Sequence, residues 1–207
     1  ITKNNYQVRN IKEIPRIVNE AFHIATTGRK GPVLIDLPKD ITTLKANPKI
    51  DEVIHLESYQ PTVTPSILQI ERLMNLLKKA EKPIVLVGGG VVAADGAEEL
   101  RQFVEKYQLP TVSTLLGLGL LPQDHPYFLG MGGMHGTYAA NMALMETDLL
   151  INIGSRFDDR LACSPEAFAP HAKVAHIDVD PVEIGKIIHT DIPIVGDAKV
   201  ALQQMLS

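Results

Sequence analysis

Beyond residue 64 the chain alternates short apolar runs with segments of helical period, and this alternation constrains the fold more than any other feature. The runs are 83–87 (Pro-Ile-Val-Leu-Val), 110–114, 148–153, 173–179 and 192–195. Helical spacing fills 95–107 and 137–146, a proline-led segment at 181–188, and the closing stretch 198–206. Parallel neighbours need a crossover connection, and helices are the usual crossover. The expected fold is therefore α/β, with a doubly wound, Rossmann-like parallel sheet of about six strands. A helix from Pro65-Ser66, capped by Ser66 or Thr64, leads into the first strand. Ile67, Ile70, Leu73, Met74 and Leu77 form its expected buried stripe.

The first part of the chain reads differently. Ile11, Ile14, Ile17, Val18, Ala21, Phe22 and Ala25 share one face of an expected helix that Gly28 stops. Gly31-Pro32 then turns into a strand at 33–37, broken by Pro38. One helix and one strand cannot bury their own faces. Residues 1–43 therefore read as the C-terminal end of another α/β domain. In 44–64 the periodicity disappears and prolines punctuate a polar stretch, as in a linker. Residues 65–207 are the expected complete domain.

The bulk numbers exclude several function classes. A net charge of -4 offers no basic face for nucleic acid. No apolar run is long enough to span a bilayer. Cys163 stands alone, which excludes an internal disulfide and fits a reducing, cytoplasmic compartment. The chain opens on Ile1, without an initiator methionine, and is expected to be a piece of a longer protein.

Ligands of an open α/β sheet bind outside the carboxyl ends of its strands, so the loops there carry the chemistry. The most informative is Gly154-Ser155-Arg156-Phe157-Asp158-Asp159-Arg160, which follows the apolar run Leu149-Leu150-Ile151-Asn152-Ile153. Arg156 and Arg160 can grip a diphosphate with planar, charge-assisted forks. Asp158 and Asp159 can hold those arginines or accept ligand hydroxyls. The alternative is a surface ion-pair cluster with no ligand. Gly88-Gly89-Gly90-Val91-Val92-Ala93 fits a Gly-x-Gly-x-x-Gly/Ala turn, where backbone can approach a pyrophosphate. A nicotinamide enzyme needs an acid at the end of the next strand, and Ser113-Thr114-Leu115 supplies none. In Gly130–Thr137, four glycines permit close approach and Met134 offers a soft apolar surface for a flat ring. His135, taken alone, reads as an ordinary loop histidine. Asp178 ends a strand where a carboxylate can take ribose hydroxyls. Asp180 and Asp197 read first as helix N-caps. No metal-ligand spacing, nucleophile elbow or Walker lysine is present.

Three of these stretches together carry a resemblance: 133–137 (Gly-Met-His-Gly-Thr), 154–160, and 176–181 (His-Ile-Asp-Val-Asp-Pro). They closely resemble the central domain of the acetolactate synthase (acetohydroxyacid synthase) large-subunit family. Gly31–Asp40 resembles the end of the pyrimidine-binding domain shared by thiamine-diphosphate enzymes. The resemblance implies condensation of two pyruvates to 2-acetolactate, or of pyruvate with 2-oxobutyrate, in branched-chain amino-acid synthesis. It implies thiamine diphosphate and Mg²⁺ in the intact enzyme, with FAD lying across the central domain without a net redox role. Implied FAD contacts are Gly88, Gly89, Gly90, Thr114, Leu115, Gly133, Met134 and His135. They continue at Gly154, Ser155, Arg156, Asp158, Arg160, Asp178, Val179, Asp197 and Ala198. Implied partners are a second copy or three further copies of the large subunit, a regulatory small subunit and small 2-oxo acids, with neither nucleic acid nor membrane. The glutamate that activates thiamine diphosphate and the metal motif are expected before Ile1 and after Ser207, which would leave this piece inactive alone. Gly132 stands where the family carries a bulkier apolar residue, so a looser loop is expected there. The alternatives are glyoxylate carboligase or another thiamine enzyme, and a purely structural domain without flavin.

Overall fold

The structure is a computed structural model that describes residues 1–47, 54 and 56–207. Pro48 and its neighbours at 48–53 and 55, part of the expected linker, lie outside the described residues. The chain divides into two compact units, Ile1–Pro61 and Thr62–Ser207.

In the first unit, β1 (Asn4–Gln7) pairs in parallel with β2 (Val33–Asp36). β1 has no apolar alternation, and its pairing with a strand almost thirty residues away is what makes it a strand. Between them runs α1 (Ile14–Thr26), entered through a 3₁₀ turn at Ile11–Glu13. Its buried face is Ile17, Glu20, Ala21 and Ile24, whereas Phe22, expected inside, is 68% exposed. Gly28 takes the left-handed conformation (φ +56) beyond the helix end, as its position predicts. Lys3 Nζ donates to the helix-terminal carbonyls of Ile24 and Thr27 and to Tyr59 Oη. A cation on orphan C-terminal carbonyls is favourable. A short helix, α2 (Lys39–Thr42), follows β2.

The second unit is a six-stranded parallel sheet. Its elements are α3 (Ile67–Leu77), β3 (Pro83–Val87), α4 (Gly89–Ala93), α5 (Ala97–Tyr107), β4 (Thr111–Ser113), β5 (Phe128–Met131), α6 (Tyr138–Glu146), β6 (Leu149–Ile153), β7 (Lys173–Asp178), β8 (Ile192–Val195) and α7 (Ala198–Leu206). The strand order β5-β4-β3-β6-β7-β8 reverses direction of travel between β3 and β6. That is the doubly wound order, with its switch point between β3 and β6.

Two apolar layers hold the sheet. Val85, Val87, Ile151 and Ile153 pack against Leu73, Phe103 and Leu202 on the face that carries α3, α5 and α7. Ile84, Leu86 and Leu150 pack on the other face against Ala140 and Leu144 of α6, and against Phe157, Leu161 and Ala169 of the connection after β6. Burial on both faces explains why β3 and β6 are continuous apolar runs rather than alternating ones.

Four expectations in the second unit need correction. Ile67, expected in the buried stripe of α3, is 50% exposed, and the stripe is carried by Ile70, Leu73 and Leu77. β5 is a strand that the apolar runs did not include, and it takes in Gly130 and Met131, the start of the expected loop; it is half-buried throughout, and Gly130 sits at φ +102. Residues 181–188 form turns, not a helix, because Gly185 enters the left-handed conformation at φ +72 and ends the first turn. Asp180 accordingly caps a turn, accepting from the Val182 amide at 3.1 Å. The loop at Gly132 is not loose: the residue is buried, and a Cβ there would lie 2.9 Å from Val112 Cγ1 and 3.0 Å from Leu144 Cδ1.

Candidate functional site

All six strands of the large sheet are parallel, so the six loops following them open on one edge. Every residue singled out as a contact lies on those loops, at the adjoining helix starts or, for Asp178, at the last position of β7.

At the switch point, Gly88 and Gly90 turn β3 into α4 while Gly154 (φ +65) turns the chain out of β6. The two turns are in backbone contact. Gly88 N donates to Ile153 O at 3.0 Å and Gly90 N to Gly154 O at 3.0 Å. A Cβ on Gly88 would fall 2.3 Å from Gly154 O. These glycines therefore have a packing role inside the chain, separate from any ligand. Thr114 N donates to Val87 O at 2.9 Å, which brings the end of β4 alongside, and Leu115 is 69% exposed.

The glycine loop after β5 is fixed by the loop after β6. Met134 N donates to Arg160 O at 2.8 Å, and Gly133 (φ +98) leaves no room for a Cβ, which would sit 2.4 Å from the same carbonyl. Asn141 of α6 clamps Gly133, accepting from its amide at 2.8 Å and donating to its carbonyl at 3.0 Å. Met134 and His135 are thereby held outward, both exposed.

Within 154–160 the side chains alternate between core and solvent. Ser155 and Phe157 are buried, while Arg156, Asp158, Asp159 and Arg160 are exposed. Asp158 does not hold an arginine. Its Oδ1 accepts from the amides of Arg160 (3.1 Å) and Leu161 (3.2 Å), closing the turn. Arg160 makes only a loose contact with Asp159 at 3.8 Å, between two exposed side chains. Among the described residues no carboxylate pairs with Arg156.

At the far side of the switch point, Asp178 Oδ1 accepts from the Asp180 amide at 2.8 Å, with Val179 half-buried between them. Asp197 caps α7 as its position predicts, accepting from Lys199 N at 2.9 Å and Val200 N at 3.2 Å. Ala198 is buried in the core.

Two buried polar residues were given no role from the sequence. Asn152 and His176 face one another across the β6–β7 ladder, both fully buried. Burial pushes the His176 imidazole down to about 4, against the Ser155 backbone and the Glu183 carboxylate, which favour its charged form. The available signal was a polar residue inside each of two otherwise apolar runs.

A cleft of about 700 Å³ lies elsewhere, beside β5, lined by Leu118, Leu121, Gln123, Phe128, Leu129 and Thr137. It contains none of the expected contact residues. Its Thr137 hydroxyl is already spent on Leu129 O at 2.8 Å.

The edge of the sheet thus presents a guanidinium with no carboxylate partner among the described residues, a second exposed arginine, exposed apolar surface at Leu115 and Met134, and carboxylates at the end of β7 and at the N-cap of α7. This set suits an anionic ligand that also carries hydroxyls and an apolar ring. No helix among the described residues is long and apolar enough to cross a membrane.

The comparisons agree with this architecture. The chain is 52% identical over 206 residues to the acetolactate synthase large subunit of Lactococcus lactis, 50% over 210 residues to that of Corynebacterium glutamicum, and 48% over 210 residues to the probable acetolactate synthase large subunit of Methanocaldococcus jannaschii. Each match covers 100% of this chain but only 36%, 33% and 36% of the relative. The chain therefore spans about a third of the length of the curated relatives it matches. Residues 70–205 match the family described as the thiamine pyrophosphate enzyme central domain, and the chain belongs to that family.

Proposed function

We propose that the chain is the FAD-binding middle portion of an acetolactate synthase large subunit. The observation that carries this reading is Arg156: an exposed guanidinium with no carboxylate partner among the described residues, set just beyond the carboxyl end of the switch-point strand β6. An arginine so placed is suited to the diphosphate of a dinucleotide. Arg160 adds a second cation, Leu115 and Met134 an apolar surface for the ring system, and Asp178 an acceptor for ribose hydroxyls. In the intact enzyme, thiamine diphosphate with Mg²⁺ would supply the carbon–carbon bond chemistry between 2-oxo acids. This portion would hold the flavin and connect to the pyrimidine-binding domain through 44–64. Assembly as a homodimer or tetramer with a regulatory small subunit belongs to the same reading.

One observation favours the rival of a structural domain without flavin. Gly88, Gly90, Asp158 and Asp197 are all engaged within the chain. The deciding experiment is the visible spectrum of the intact protein as purified, followed by flavin titration of the stripped protein. Yellow absorbance with saturable re-uptake of FAD supports the proposal. A colourless protein that takes up no FAD supports the rival.

A further inference from the structure

Asn152 is the one polar side chain in β6, whose other residues are Leu149, Leu150, Ile151 and Ile153. β6 lies in the middle of the sheet between β3 and β7, and all five of its residues are buried. Such a strand ordinarily carries only apolar side chains. Asn152 Nδ2 donates to Ser155 O at 2.6 Å, reaching over the left-handed Gly154. Its Oδ1 is buried and meets no partner. A leucine would avoid that desolvation, so the bond to Ser155 is what the amide adds.

The residue beyond Arg156 is anchored as well. Phe157 is 1% exposed and held at φ +54, an unusual conformation for a bulky residue. Its ring packs edge-on to Phe168 at 5.6 Å and to His176 at 5.1 Å. Arg156 therefore sits between two tied residues, Ser155 held by Asn152 and Phe157 held by the core. Its own side chain is exposed.

We propose that Asn152 is a positioning residue: by holding the Ser155 carbonyl it fixes the direction in which the chain presents Arg156 to an anionic ligand. The identity of that ligand rests on the flavin reading above; the ordering of the loop does not.

The test uses the intact protein with Asn152→Leu, which keeps the branched shape of the side chain and removes the hydrogen bond. Asn152→Ala serves as the second deletion if leucine does not fit. Hydrogen exchange of amides 154–161 is read without ligand, beside the denaturant midpoint. The expected result is a midpoint no lower than that of the parent, with loop exchange faster by roughly tenfold, the scale of one lost hydrogen bond. Flavin affinity should fall by about the same factor in the parent background and stay unchanged when Asn152→Leu is added to Arg156→Ala, because Asn152 acts through Arg156. Unchanged loop exchange, or effects of the two substitutions that simply add, would overturn the proposal. If the parent protein takes up no flavin, the functional reading fails and the exchange measurement decides the inference by itself.

Discussion

Gly90 and Gly154 touch through their backbones: the amide of Gly90 reaches the carbonyl of Gly154 at 3.0 Å, and a Cβ on either residue would lie 2.6 Å from the Cα of the other. This contact joins the turns after β3 and β6 at the switch point. Alanine at Gly90 is expected to force the turns apart and cost about 2–3 kcal/mol. Alanine at Gly154 should cost more, because φ +65 adds backbone strain. Gly119→Ala is the control. Its φ is +92 but nothing lies within 4 Å, so only strain of about 1 kcal/mol is expected. Denaturant midpoints rank the three. If Gly90→Ala weakens flavin binding with no loss of stability, the glycine serves the ligand alone.

Arg156 carries the functional proposal. Replacing it by alanine in the intact protein is expected to weaken FAD binding by roughly one to two factors of ten, as for one or two lost charge-assisted bonds. Lysine should recover only part of this, since a point charge does not reproduce the planar fork. Stability should be unaffected, because among the described residues no carboxylate pairs with Arg156. Flavin titration with circular dichroism as the folding control makes the measurement. Equal affinity of all three folded proteins would reduce the loop to a surface charge cluster.

His176 predicts an acid sensitivity with a definite sign. Its folded pKa, about 4, lies below the ordinary 6.5 because burial disfavours the imidazolium. Between those values the unfolded chain binds the extra proton, so stability falls as pH drops from about 6.5 towards 4. The full shift corresponds to a loss on the order of 3 kcal/mol. Asp191, depressed by its Lys173 partner and the Val174 amide despite partial burial, adds losses only at lower pH. Unfolding midpoints at pH 7 and pH 5 isolate the histidine. His176→Leu should flatten the slope over that interval, and an unchanged slope would assign it to other groups.

The boundary between the units gives a fourth expectation. The stretch from Thr43 to Thr64 has few apolar positions, holds Pro48 and Pro61 and is followed by Pro65, and limited proteolysis is expected to cut there first. The surviving core should begin near Pro65, since Gly196 packs on that proline and the Asp197 amide bonds to Val63 O at 2.8 Å. Early cleavage within 84–195 would move the boundary elsewhere.

The sequence by itself determined the parallel, doubly wound sheet, because continuous apolar runs such as Ile84–Val87 and Leu149–Ile153 are the local signature of strands buried on both faces. It also gave up the loop 154–160 and the cap at Asp197, whose chemistry is written within a few adjacent residues. Tertiary structure alone decided the rest. Phe128–Met131 is a strand only because β4 lies beside it and Thr137 occupies its outward carbonyls at Leu129 and Met131. Residues 181–188 lost their helix to the left-handed Gly185, a backbone choice that apolar spacing does not encode. Gly88 and Gly90 read as a ligand cradle, yet their nearest neighbour is Gly154, more than sixty residues away in sequence. Asn152 passes unremarked within an apolar run, and only the fold brings its amide to the Ser155 carbonyl. Periodicity and capping are properties of neighbouring residues and can be read from the chain. Which backbone lies against which depends on the sheet order, and exists only once the strands have assembled.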